Sequence, residues 1–260
     1  GIPQTRGAIN GRITYRHPFI ELISKFAGGI LSVSAGLSLG REGPSVQIGS
    51  YVGCLVSRWT HILKGERKQL LAAGAGAGLA AAFAAPLASS LIVIESIERF
   101  DAPKTAITTL LAGVVAGVIA TLVFPVNPYH LIEVSEPALA FWVQMKYFLI
   151  LAVIISIVGK LYAAIMISFK RVYSAVKSPT SVKMFYLVLV AYIISLMQVN
   201  LTGGGEQFLL EQAQNGSTEM MWVLAVMLLH FGFSVCSVSS GLPGGNFIPT
   251  LVTGGLLGRF

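Results

Sequence analysis

The sequence predicts an all-α membrane protein with broken and re-entrant helices, on three observations. The first is composition: hydrophobic residues fill 54% of the 260 positions and charged residues 11%, against roughly 25% charged in a soluble domain. With a mean hydropathy of +0.75, such a chain could not cover its own surface with polar groups in water. The second is a series of apolar windows over 18–39, 43–63, 70–94, 105–126, 137–169, 184–201 and 220–239, with a last one opening at Phe247. Several reach the ~20 residues needed to cross a hydrocarbon core of about 30 Å. The third is a ten-residue turn, built on glycine and proline, that occurs twice. The 28 glycines agree, because helices in lipid pack closely through small residues and transporters often break their helices.

The windows order themselves by the charge between them. Segments 58–68 (RWTHILKGERK) and 170–183 are basic, whereas 126–136 and 203–219 carry acids and no Lys or Arg. The positive-inside rule places the first pair in the cytoplasm and the second outside. Parity then requires window 70–94 to enter the membrane and return to the same side. Ala84-Ala85-Pro86 at its centre supplies the means, since proline breaks a helix in two. From there 105–126 runs outward, 137–169 returns, 184–201 runs outward again and 220–239 comes back.

The net charge of +7 is spread between apolar spans, not along one stripe with interleaved aromatics, so no nucleic-acid surface is expected. Cys54 and Cys236 lie in apolar context without CxxC spacing, and four scattered histidines complete no ligand set. Neither a metal nor a cofactor is expected. No signal peptide opens the sequence, and a start at Gly1 suggests processing or a fragment.

The repeated turn is Gly40-Arg-Glu-Gly-Pro44-Ser45-Val-Gln-Ile-Gly49 and Gly245-Asn-Phe-Ile-Pro249-Thr250-Leu-Val-Thr-Gly254. Both fit G-x-x-x-P-[S/T]-x-x-x-G, follow a Ser/Gly-rich lead and open an apolar run. Proline is pre-organised for a first helical turn, and glycine lets the preceding backbone bend. A helix start presents N–H groups and the positive end of the helix dipole. At membrane depth those groups need an acceptor. Two alike starts suggest two repeats whose broken helices meet near the midplane around an anion, held without a full counter-charge. Glu42 stands inside one of them, and a carboxylate at membrane depth is functional by default. A competing intramembrane hydrolase would pair Ser239 or Ser240 with His230. That pair has no carboxylate at useful spacing, and His230 in MLLHFGF reads as a helix-packing residue.

These motifs resemble the CLC family of chloride channels and chloride/proton antiporters: GIPQ at Gly1–Gln4, GREGP at Gly40–Pro44 and GGNFIP at Gly244–Pro249. The stretches 72–95 (AAGAGAGLAAAFAAPLASSLIVIE) and 202–207 (TGGGEQ) are similar to family segments too. The resemblance covers nearly the whole chain and implies one CLC-type transmembrane domain over 1–260, with inverted repeats in approximate halves 1–126 and 137–260. It implies a homodimer, each subunit with its own pore in the bilayer, in a bacterial inner membrane. Glu42 corresponds to the gating glutamate that competes with chloride. The backbone amides of Asn246, Phe247 and Ile248 correspond to the central and outer chloride sites, and those of Arg41 and Gly43 to the outer one.

The chain departs from the family pattern in two places. Where the family carries an inner proton-transfer glutamate directly after another glutamate, IVIES puts Glu95 on the first acid and Ser96 on the second. A serine cannot relay protons as a carboxylate does, which opens the alternative of a passive chloride channel. Glu95 and Glu98 are then either substitutes for it or cytoplasmic-end charges paired with Arg99. The family's chloride-contacting serine would also fall before Gly1 and its pore tyrosine after Phe260, so the chain is expected to be the central part of a subunit. Fluoride exporters of the family depart from GREGP and GxFxP, so chloride is the expected ion, with bromide and nitrate left open.

Overall fold

The computed structural model describes residues 1–62, 64–95, 103–124, 141–197, 201–214 and 219–258. Its described elements are helices: α1 (Ile2–Ile9), α2 (Pro18–Ser34), α3 (Glu42–Trp59), α4 (Lys64–Phe83), α5 (Pro86–Val93), α6 (Pro103–Val123), α7 (Phe141–Ala175), α8 (Thr180–Leu196), α9 (Glu206–Gln214), α10 (Met220–Ser239) and α11 (Phe247–Leu257). The all-α expectation holds. Helices α6, α7 and α10 are each long and apolar enough to cross a membrane, and the chain is an integral membrane protein. At 35 residues, α7 extends about 52 Å at 1.5 Å per residue, so it must incline or project beyond a core of about 30 Å.

The chain forms two compact units. One comprises Gly1–Ser32, the elements α3 to α6 from Gly40 onward, and the short segment Pro243–Gly245; the other holds Val33–Leu39, α7 to α10, and Asn246 onward with α11.

In the first unit, backbone packs against backbone. A Cβ on Gly49 would strike the carbonyl of Gly74, one on Gly53 the carbonyl of Leu70, and one on Gly78 the carbonyl of Ser45. Gly49 and Gly53 on α3, with Gly74 and Gly78 on α4, are thus two facing small-xxx-small stripes, the arrangement that lets helices approach closely in lipid. A further close contact joins α6 to α5, where a Cβ on Gly117 would fall 3.3 Å from the ring of Pro86. The expected break is present: α4 ends at Phe83, Ala84 takes a left-handed φ of 51°, and Pro86 opens α5 in its first turn. On α2, Gly28 lies against the ring of Pro243 and Gly29 against that of Pro44.

In the second unit α10 packs against α7 and α11, and α9 against α11. The inner face of α10 buries Val223, Val226, Met227, His230 and Phe233. Most of α7 is exposed apolar surface, including Phe148, Leu149, Ile150 and Ile157, as suits a lipid-facing helix.

Two elements depart from the window reading. Helices α1 and α9, of 8 and 9 residues, are too short for any window sized to cross the membrane. The acidic segment 126–136 and part of 203–219 lie outside the described residues, as do Ser96, Glu98 and Arg99.

Candidate functional site: two helix starts and a buried carboxylate

The lead into α3 buries Leu37 and Leu39 and brings the chain to Gly40. There it forms a single antiparallel bridge with Gly245. Gly40 N–H donates to the Gly245 carbonyl at 2.9 Å, and Gly245 N–H to the Gly40 carbonyl at 2.6 Å. The glycines that open the two repeats of the turn are therefore hydrogen-bonded to each other. Next comes Arg41, an exposed N-cap whose side chain makes no capping bond. Glu42 is the first helical residue and is only 2% exposed.

The Glu42 carboxylate folds back over the bridge. A Cβ on Gly40 would collide with it, and so would a Cβ on Gly245. Any residue but glycine at either position would thus take the space the carboxylate occupies. Gly43 is tightly held too, since a Cβ there would come to 3.0 Å from the Gly244 carbonyl oxygen. The N-terminus of α1 reaches the same place, with Gly1 near the Cα of Gly43. The motifs GIPQ, GREGP and PGG thus meet within one unit.

The rest of the turn explains its own consensus. Pro44 is the third helical residue of α3, and Pro249 the third of α11. Ser45 Oγ donates to the Arg41 carbonyl at 2.8 Å, and Thr250 Oγ1 to the Asn246 carbonyl at 2.7 Å. The [S/T] position therefore bonds back to the N-cap carbonyl in both copies, one turn earlier on the helix. Neither helix offers an internal acceptor to the N–H groups of its first turn, and the dipole concentrates partial positive charge there.

In the second unit, Asn246 is the N-cap of α11 but makes no side-chain cap. Its Oδ1 instead accepts from Tyr162 Oη on α7 at 2.7 Å. Thr250 Oγ1 lies 3.1 Å from the same phenol, whose ring meets Phe231 edge-on at 5.2 Å. This clasp fixes the start of α11 through a helix distant in sequence. Phe247 is half exposed and Ile248 buried. His230 is fully buried, its ring against Gly205, whose φ of 81° suits glycine and where a Cβ would fall 2.7 Å from Cε1.

Of the residues singled out from sequence, Arg41, Glu42 and Gly43 share the first unit's helix start, and Asn246, Phe247 and Ile248 share the second's. Glu95 is exposed just beyond α5. The hydrolase pair does not form, because Ser239 lies nine residues beyond His230 on α10, about 13 Å of helical rise. No metal-binding cluster of His, Cys, Asp or Glu occurs among the described residues. Sequence reading missed Tyr162 and the role of Thr250. The only available signal was the [S/T] position of the repeated turn.

The chain is similar to several known proteins. The H(+)/Cl(-) exchange transporter ClcA of Cronobacter sakazakii is 33% identical over 270 residues, covering 99% of this chain and 56% of that protein. The ClcA of Citrobacter koseri is 33% identical over 265 residues, covering 99% and 55%. The chain thus spans about half the length of the curated relatives it matches. Among solved structures, a slow cyanobacterial Cl-/H+ antiporter superposes with a TM-score of 0.87 at 28% identity, covering 97% of this chain and 59% of that one. A CLC-type fluoride/proton antiporter superposes with a TM-score of 0.76 at 20% identity, covering 97% and 63%, and shows the shared fold. The family described as voltage gated chloride channel matches residues 1–260, and the chain belongs to that family.

Proposed function

We propose that the protein of which this chain forms part exchanges chloride for protons across a membrane, with Glu42 as both gate and proton acceptor. The observation that carries this reading is the Glu42 carboxylate, buried at the first turn of α3 against Gly40 and Gly245. The ionised carboxylate fills a place suited to an anion. Protonation removes its charge, the side chain leaves, and chloride takes the donors of the helix start. Chloride binding is assigned to the backbone amides of Arg41 and Gly43 at one start and of Asn246, Phe247 and Ile248 at the other. The printed names of the ClcA relatives and of the cyanobacterial antiporter support exchange as the class of transport. Assembly as a homodimer in a bacterial inner membrane belongs to the same proposal.

Ser96 favours a second reading, a passive chloride channel, because the inner position of the proton path carries no carboxylate. The two readings separate in proteoliposomes of the full-length protein. Under exchange, an outward chloride gradient drives protons inward against their own gradient. Chloride flux with no uphill proton movement would establish the channel and remove exchange.

A further inference from the structure

At the junction of α7 and α8 the second unit holds a cavity of about 390 Å³. It is walled by apolar side chains, among them Val176, Tyr186 and Leu187, with Cys236 of α10 in its lining. Its one charged lining residue is Lys183. The Lys183 ammonium donates to the Tyr173 carbonyl at 2.9 Å and lies 4.8 Å from the centre of the Tyr173 ring. That uses one of its three N–H groups. The surrounding chain is basic throughout: Lys170, Arg171, Lys177 and Lys183 fall within fourteen residues, and positions 141–205 contain no Asp or Glu. An apolar cavity with a cation in its lining, on a membrane protein, has the complementarity of one lipid molecule. The absence of acid selects its charge.

We infer that this cavity binds an anionic phospholipid, with an acyl chain lying against Leu187 and Tyr186 and the headgroup phosphate held by Lys183. Lys177 and the exposed Lys170 and Arg171 add attraction, each basic group near an anionic surface contributing about fivefold in affinity. A neutral phospholipid offers the same chain and phosphate but gains none of that long-range term. The inference is independent of which ion the protein carries.

Cys236 reports on occupancy, because it lines the cavity as a free, part-exposed thiol whereas Cys54 is buried. The full-length protein would be placed in nanodiscs of phosphatidylglycerol or of phosphatidylcholine, and alkylation of Cys236 by N-ethylmaleimide followed by mass spectrometry of its peptide. Labelling should be at least about fivefold slower in phosphatidylglycerol. The difference should shrink about fivefold in Lys183→Gln and return in Lys183→Arg, while Lys177→Gln, outside the lining, reduces it less. Equal labelling in the two lipids would overturn the inference, as generic lipid cover. A thiol equally unreactive in lipid-free detergent would also overturn it, by showing that the protein's own chain fills the cavity.

Discussion

The two glycines that flank Glu42 decide where its carboxylate can be. Gly40 and Gly245 are joined by two backbone hydrogen bonds, so their Cα atoms cannot move apart to admit a side chain without loss of the bridge. Gly245→Ala should place a methyl group in the space of the carboxylate and displace it. The expected outcome is chloride flux that persists while its dependence on pH weakens, read by chloride efflux from liposomes between neutral and acid pH. Full retention of the wild-type pH dependence would show that the contact with Gly245 does not hold the gate. Tyr162 acts on the other helix start. Tyr162→Phe removes the phenol that holds Asn246 Oδ1 and should destabilise the protein by about 0.5–1.5 kcal/mol, the range for one lost hydrogen bond. Thermal unfolding of the full-length variant measures this, and an unchanged midpoint would count against the clasp. Glu42 and both helix starts were legible in the sequence because proline and glycine recur at fixed offsets. Tyr162 was not, since it sits 84 residues from its partner in an apolar run where no spacing points to Asn246.

Between elements, contact depends on which glycines face one another. Gly49, Gly53, Gly74 and Gly78 meet carbonyl groups of the facing helix, whereas Gly159 and Gly232 have nothing within 4 Å of an added Cβ. Gly74→Ala should therefore cost roughly 1–3 kcal/mol by overpacking. Gly232→Ala should be neutral or stabilising by up to about 1 kcal/mol, as expected for alanine in an open helix position. Comparable thermal shifts for the two variants would contradict the close approach of α3 and α4. Ala84, left-handed before Pro86, offers the opposite test. Ala84→Gly relieves the steric penalty of an L-residue there and should raise stability by about 1 kcal/mol; a fall in unfolding temperature would contradict the strain. The break at Pro86 was legible because proline has a fixed effect on a helix. Which glycines form an interface was not, because spacing alone does not tell a packed stripe from an open one among 28 glycines.

At the scale of the molecule, the apolar windows anticipated the long helices because crossing a membrane sets a minimum length. Helices α1 and α9 escaped that criterion, yet α1 brings GIPQ to the first turn of α3. The order of motifs along the chain, GIPQ, GREGP, TGGGEQ and GGNFIP, identified the family that residues 1–260 match. What the repeated turn could not convey is that its two opening glycines pair directly, a contact spanning most of the chain. The central claim is that a protonatable carboxylate beside that pair admits the anion. The most direct test compares chloride efflux with proton uptake in liposomes carrying the wild-type protein or Glu42→Gln, across a range of pH. The wild type should pass more chloride as pH falls and move protons in the opposite direction. Glu42→Gln should pass chloride at a rate independent of pH and move no protons. A Glu42→Gln protein that keeps both its proton movement and its pH dependence would contradict the account.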